Sequence, residues 1–337
     1  MDASPDSPPS AKNEPRAWTR WAKLGFRFLV VGLVAAGIVQ SVRKSLAEFE
    51  RHQFSLADFH YGWLFVAGLL YLLGSIPGWW FWHRVLVAMG QAPAGWASAR
   101  AFYIGHLGKY VPGKAMVVVL RAGMVQGPRV ETAVAAAAVF VETLTTMAVG
   151  AIVAAIIVAW RYHDDPRLVG LALLLVVGAG VPAWPPIFRR VVKILRIHRA
   201  SPSIEPALNA LDLRLMSRGW FAIAFSWLLL GLSLWATLIS MPDPAPLLYD
   251  FLTAIPLLTA CVALAMVAGF VSMIPGGVGV REFVVITLLA PAVGDVAAVV
   301  SAILLRFVWL LAELLSSAIL YFVRPSPVPP LVEDPAP

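Results

Sequence analysis

Ionisable side chains set inside long apolar runs are the places where this sequence can do chemistry. Glu142 lies 11 residues beyond Glu131 in one such run, and Arg306 lies 10 residues beyond Val296 in another. At about 1.5 Å of rise per helical residue, both fall near the middle of an apolar layer about 30 Å thick. An unpaired ion at that depth costs about 2.5–3.5 kcal/mol, so each must face a partner or a wet cavity. Opposite charge at equal depth predicts that Glu142 and Arg306 pair. Glu313 follows Arg306 by seven residues, two turns along the same face, and Arg281 and Glu282 lie beside a glycine run. Arranged along one path, Glu142, Arg281, Glu282 and Arg306 would pass a polar headgroup or an ion. The alternative is a set of buried ion pairs that hold helix register.

Two Pro-Gly sequences interrupt apolar stretches. Lys109-Tyr110-Val111-Pro112-Gly113-Lys114 breaks the segment 94–125, and Ser272-Met273-Ile274-Pro275-Gly276-Gly277 breaks the segment 251–292. Non-helical backbone is tolerated at membrane depth only where protein or a water-filled cavity satisfies its polar groups, so such breaks mark sites. The N–H groups of a half-helix beside Gly276 and Gly277, with Arg281 next to them, suit an anion. Lys109, Lys114 and Arg121 form a second basic cluster, which either holds a phosphate or snorkels to cytoplasmic headgroups. Among acid/base groups, Glu142, Glu282 or His106 could serve an enzyme, but no pair has a recognisable catalytic spacing. The six histidines are scattered and Cys261 stands alone, so neither a metal site nor a disulfide framework is expected, and no motif implies a cofactor.

The elements that must position these residues follow from composition. Of 337 residues, 60% are hydrophobic and only 13% charged, against about 25% charged in soluble domains, which excludes a water-soluble globule. Six segments are long and apolar enough to span, at 24–42, 61–82, 132–160, 168–187, 219–240 and 296–323. The first has no small-residue cleavage site after it and reads as a retained anchor. Residues 1–19 and 325–337 read as disordered cytoplasmic ends around one transmembrane domain, 20–324. With the N-terminus inside, 19 of the 26 Lys and Arg residues fall on the cytoplasmic side, which predicts an inner-membrane protein with both termini cytoplasmic. The net charge of +7 is then a topology signal and a means of meeting anionic lipid headgroups at the basic loops, not a nucleic-acid footprint. Arg189, Arg190, Lys193, Arg196 and Arg199 dress an amphipathic cytoplasmic segment, and the run Trp79-Trp80-Phe81-Trp82 reads as an interfacial belt.

The predicted fold is therefore all-α: about six spanning helices and two re-entrant helical hairpins. The first hairpin enters from the cytoplasm and the second from outside, so their tips oppose each other as in an inverted repeat.

The run Gly105-His106-Leu107-Gly108-Lys109-Tyr110-Val111-Pro112-Gly113-Lys114, then Val141-Glu142, then Ile274-Pro275-Gly276-Gly277-Val278-Gly279-Val280-Arg281-Glu282, resembles the flippase-like membrane domain of lysylphosphatidylglycerol synthases and its stand-alone bacterial relatives. Lys114 and Met116-Val117-Val118-Val119 depart from the more polar, glycine-containing stretch expected after the first Pro-Gly. The resemblance implies movement of a phospholipid, or of a polyisoprenoid or triterpenoid lipid, between leaflets. The substrate would be held by Lys109, Pro112, Gly113, Glu142, Pro275, Gly276, Gly277, Arg281, Glu282 and Arg306. Full-length synthases carry a separate aminoacyl-transferase domain, and with 13 residues after Arg324 that synthesis is not expected here. A membrane-embedded transferase on a lipid-linked substrate and a non-catalytic subunit of a lipid-processing complex are the competing classes.

Overall fold

The computed structural model describes residues 59–111, 115–161, 202–272 and 274–323, with scattered positions between 32 and 43 and between 163 and 177. The predicted spans at 24–42 and 168–187 fall almost entirely outside the described residues, as do the two ends. The elements are α1 (Tyr61–Ala88), α2 (Gly95–His106), a 3-10 turn (Leu107–Tyr110), α3 (Ala115–Val125), α4 (Thr132–Arg161), α5 (Ile204–Asn209), α6 (Leu213–Ile239), a 3-10 turn (Pro246–Tyr249), α7 (Phe251–Val271), a 3-10 turn (Pro275–Gly277), α8 (Val280–Val293) and α9 (Asp295–Phe322). The described residues contain no strand, only an isolated antiparallel bridge between Gly127 and Val130.

Six helical stretches are long and apolar enough to cross a membrane: α1, α4, α6, α7, the run Pro275–Val293 that includes α8, and α9. Four of these coincide with the spans expected near 61–82, 132–160, 219–240 and 296–323. The broken segments differ from each other. α2 has 12 residues and α3 has 11, so each rises only about 16–18 Å, roughly half the hydrocarbon depth. α7, in contrast, has 21 residues and forms a full span by length. The second break comes at the end of a complete span, where half-helices were predicted. At each break the flanking helices pack on each other, α2 on α3 and α7 on α8.

Small residues set the helix crossings, as expected where lipid gives no hydrophobic drive between helices. A Cβ on Gly150 would lie 2.6 Å from the Trp227 ring, and one on Gly219 or Gly231 would overlap Phe81 or Thr259. These close approaches bring α6 against α4, α1 and α7. Hydroxyls and indoles then bind across the crossings. Ser233 Oγ donates to the Ala67 carbonyl at 2.7 Å and receives Trp309 Nε1 at 2.9 Å, and Trp227 Nε1 donates to the Thr146 carbonyl at 3.2 Å. The aromatic run at the end of α1 is not a simple interfacial belt. Phe81 and Trp82 are fully buried, Phe81 against Gly219 of α6 and Trp82 beside Phe102 of α2 and Arg121 of α3, while Trp80 remains exposed.

Candidate functional site

The first break is built on glycine. α2 ends at His106 and tightens into the 3-10 turn Leu107–Tyr110, after which Val111 is extended. A Cβ on Gly105 would lie 2.5 Å from Arg121 Cγ, and one on Gly108 would lie 2.7 Å from the Val117 amide nitrogen. The two glycines thus let α3 fold back directly onto α2. That approach buries Arg121, which is 3% exposed and does not snorkel. Its Nη1 donates to Glu142 Oε2 at 2.7 Å, and its guanidinium stacks 4.0 Å from the Phe102 ring centroid and 5.7 Å from that of Trp82. Thr143 and Thr146 donate their hydroxyls to the same carboxylate at 3.3 and 3.2 Å. Glu142 therefore pairs with Arg121 and not with Arg306, because α3 folds a cation into the bundle.

The second break repeats this device. Gly276 and Gly277 have φ of +61° and +65°, a left-handed backbone that side chains strongly disfavour. Their turn points Arg281 back along α7. A Cβ on Gly269 would lie 2.7 Å from Arg281 Cγ, and one on Gly277 would lie 2.7 Å from its Nε. Each break thus holds an arginine stem against glycines of its own hairpin. Arg306 meets Glu282 in a direct ion pair. The other Glu282 oxygen accepts the Gly279 N–H at 2.6 Å, so the chain's own carboxylate fills the N-terminus of α8. Among the described residues Arg281 has no such partner, and its Nε is buried without a hydrogen bond.

Between the two breaks lies Glu313, 4% exposed on α9. Tyr71 from α1 and Lys109 from the first turn both donate to its Oε1, and Tyr110 donates to Oε2 at 3.0 Å. His106 Nε2 stands 3.8 Å from Oε1, while its Nδ1 lies 3.3 Å from Arg121 Nη2. A continuous polar chain therefore runs from Glu142 through Arg121 and His106 to Glu313 and Lys109.

These groups line one cavity of about 370 Å³ whose wall is otherwise largely apolar, with Leu72, Phe140, Met147, Leu230 and Phe270 among its residues. Arg281, Lys109, Met266 and Gly276 continue into a small adjoining space of about 50 Å³ that reaches Glu282 and Arg306. An apolar wall with an ionic inner cluster suits an amphipathic molecule, tail against the wall and head among the charges. Among the described residues no three His, Cys, Asp or Glu side chains gather as a metal site requires.

The family model described as the lysylphosphatidylglycerol synthase TM region matches residues 22–316. The chain belongs to that family. No curated protein matches it. As a member of the lysylphosphatidylglycerol synthase TM-region family with six helices long and apolar enough to cross, it is a multi-pass membrane protein.

Of the residues expected at the site in this family member, Lys109, Glu142, Gly276, Gly277 and Arg281 line the large cavity, and Glu282 and Arg306 line its extension. Pro275 opens the turn that carries Gly276. Pro112 and Gly113, with Lys114, lie outside the described residues. Sequence reasoning missed Tyr71 and Tyr110 as donors to Glu313. A tyrosine in an apolar run carries little signal, since its ring suits the core whether or not its hydroxyl is used.

Proposed function

We propose that this protein moves a polar lipid between the leaflets of the bacterial cytoplasmic membrane, with both termini on the cytoplasmic side. The observation that carries the reading is the cavity of about 370 Å³, in which Lys109, Arg121, Glu142, Arg281 and Glu313 are gathered within an apolar wall. A lipid headgroup that crosses hydrocarbon alone loses its hydration, and paired charges at depth replace part of that lost solvation. Arg281 anchors the headgroup phosphate, since its guanidinium is the one cavity cation with no ion pair among the described residues. The hydroxyls of Tyr71 and Tyr110 and the Glu142 and Glu313 carboxylates offer hydrogen bonds to hydroxylated or cationic parts of the head. The two breaks bring their polar residues to the cavity between them, and the head passes there.

Purified protein in liposomes with a fluorescent phospholipid in both leaflets tests the reading, with a membrane-impermeant quencher added outside. In protein-free vesicles only the outer half of the signal is lost; with the protein, loss proceeds toward completion. Arg281→Ala is expected to slow that second phase by about tenfold or more, the equivalent of about 1.4 kcal/mol of binding or barrier. A wild-type protein that leaves the inner-leaflet signal intact overturns the proposal.

A further inference from the structure

We propose that His106 is a proton-binding site linked to anion binding in the cavity, so that a proton and an anionic phosphodiester headgroup are bound together. This rests on the reading of the cavity as a lipid site and adds the class of head that it takes.

The ring is held in one tautomer. Arg121 presents only N–H donors, so His106 Nδ1, 3.3 Å from Arg121 Nη2, must be the acceptor. The proton of the neutral ring then sits on Nε2, directed toward Glu313 Oε1 at 3.8 Å. A second proton has only Nδ1 to bind, and there it would face a guanidinium donor. Protonation and the Arg121 contact therefore exclude each other. Once charged, the ring is drawn from Arg121 toward the Glu313 carboxylate, and Arg121 is left to Glu142 alone.

Charge counting says when that proton arrives. The groups that face His106 are Tyr71 on α1, Tyr103 on α2, Lys109 and Tyr110 on the first turn, Arg121 on α3, Glu142 behind it on α4, Arg281 on α8 and Glu313 on α9. Among the described residues lining the two joined spaces, Lys109, Arg121, Arg281 and Arg306 stand against Glu142, Glu282 and Glu313, an excess of one positive charge. Without a headgroup, an added proton would raise that excess to two. A headgroup carrying one negative charge at Arg281 restores it to one. By reciprocity the anion tightens proton binding and the proton tightens anion binding. The proton comes from bulk water and returns to it, and no covalent bond in the lipid changes.

The test uses the full chain in detergent at weak buffer strength, with dihexanoyl phosphatidylglycerol as a singly anionic probe and dihexanoyl phosphatidylcholine as a zwitterionic one. An indicator dye follows proton uptake between pH 5.5 and 8. The anionic probe is expected to bring in up to about one proton per protein, and the zwitterionic probe close to none. Calorimetry should find the anionic probe bound up to about tenfold more tightly per pH unit of acidification, until His106 is fully protonated. His106→Gln keeps an acceptor for Arg121 but cannot be protonated, and should abolish both effects. His106→Asn is a second variant of the same kind should the first fail to fold. Binding of the anionic probe without proton uptake, equal uptake with both probes, or undiminished uptake in His106→Gln overturns the proposal, as does the absence of binding. Proton uptake by a protein that moves no lipid in the liposome assay overturns the transport reading alone.

Discussion

The ring of Tyr110 stands against Gly276, where the two breaks of the chain meet. A Cβ on Gly276 would lie 3.3 Å from Tyr110 Cδ1 and 3.3 Å from Arg306 Nη2. The two interruptions are 166 residues apart in sequence and share one wall of the cavity. Their approach places Lys109 and Tyr110 of one break within reach of Glu313, while Arg281 enters from the other.

That contact can be trapped. In a Cys261→Ala background, which removes the only cysteine of the chain, Tyr110→Cys with Gly276→Cys should form an intramolecular disulfide under mild oxidant, seen as a mobility shift that reductant reverses. Gly276→Cys alone carries a strained left-handed residue at a cost of about 1–2 kcal/mol, so thermal unfolding of the single variant calibrates the pair. Failure to cross-link in a folded protein would separate the two breaks.

The Arg121–Glu142 pair should be costly to break from one side and mild to replace from both. Arg121→Met leaves a buried carboxylate unpaired, an expected loss of about 3–5 kcal/mol, whereas Arg121→Met with Glu142→Gln should recover most of it. Denaturation of the three variants in detergent measures this cycle. A double variant no more stable than Arg121→Met would contradict the pairing.

Glu313 should outrank each of its donors. Tyr71→Phe removes one of three hydrogen bonds to a charged acceptor, about 1.5–3 kcal/mol. Glu313→Gln removes the charge that holds Lys109, Tyr71 and Tyr110 together and should destabilise more than Tyr71→Phe, with a fall of tenfold or more in lipid redistribution. If Glu313→Gln is the milder of the two, Glu313 is not the hub of the cluster.

Outside the membrane, Asp250 caps α7. Its carboxylate accepts the Thr253 hydroxyl at 2.7 Å and the Leu252 N–H at 3.2 Å. The Thr253 side-chain hydrogen bond, with lesser help from the Thr253 and Leu252 backbone, holds the Asp250 carboxyl below its ordinary value. These bonds favour the charged form, so the cap's contribution is complete above the ordinary carboxylate range and disappears as pH falls through the folded value. The unfolding midpoint of Asp250→Ala should therefore lie below wild type by a constant amount at neutral pH and converge on it in acid. A difference that grows in acid would reverse the sign of this linkage.

Much of this architecture was legible along the chain. Long apolar runs predicted α1, α4, α6 and α9, because the length needed to cross hydrocarbon and the need to satisfy backbone groups within one helix are local constraints. Pro-Gly sequences located both breaks for the same reason. The second break falls at its Pro-Gly run, but of the two readings open to its first arm, half-helix or ordinary span, Phe251–Val271 has the length of the span.

Pairing was not legible. Equal depth suggested Glu142 with Arg306, yet depth is only one coordinate. Rotation about a helix axis changes by about 100° with each residue, so the direction of a side chain follows from packing. Here Gly105 and Gly108 allow α3 to fold onto α2 and carry Arg121 to Glu142, and Gly269 and Gly277 make room for Arg281. The sequence by itself determined that a few charges lie at membrane depth and that the backbone breaks beside them, since solvation and chain geometry dictate both. Only the tertiary structure decided which charges meet and left Arg281 without an ion pair among the described residues, because that outcome depends on close approaches between helices distant along the chain.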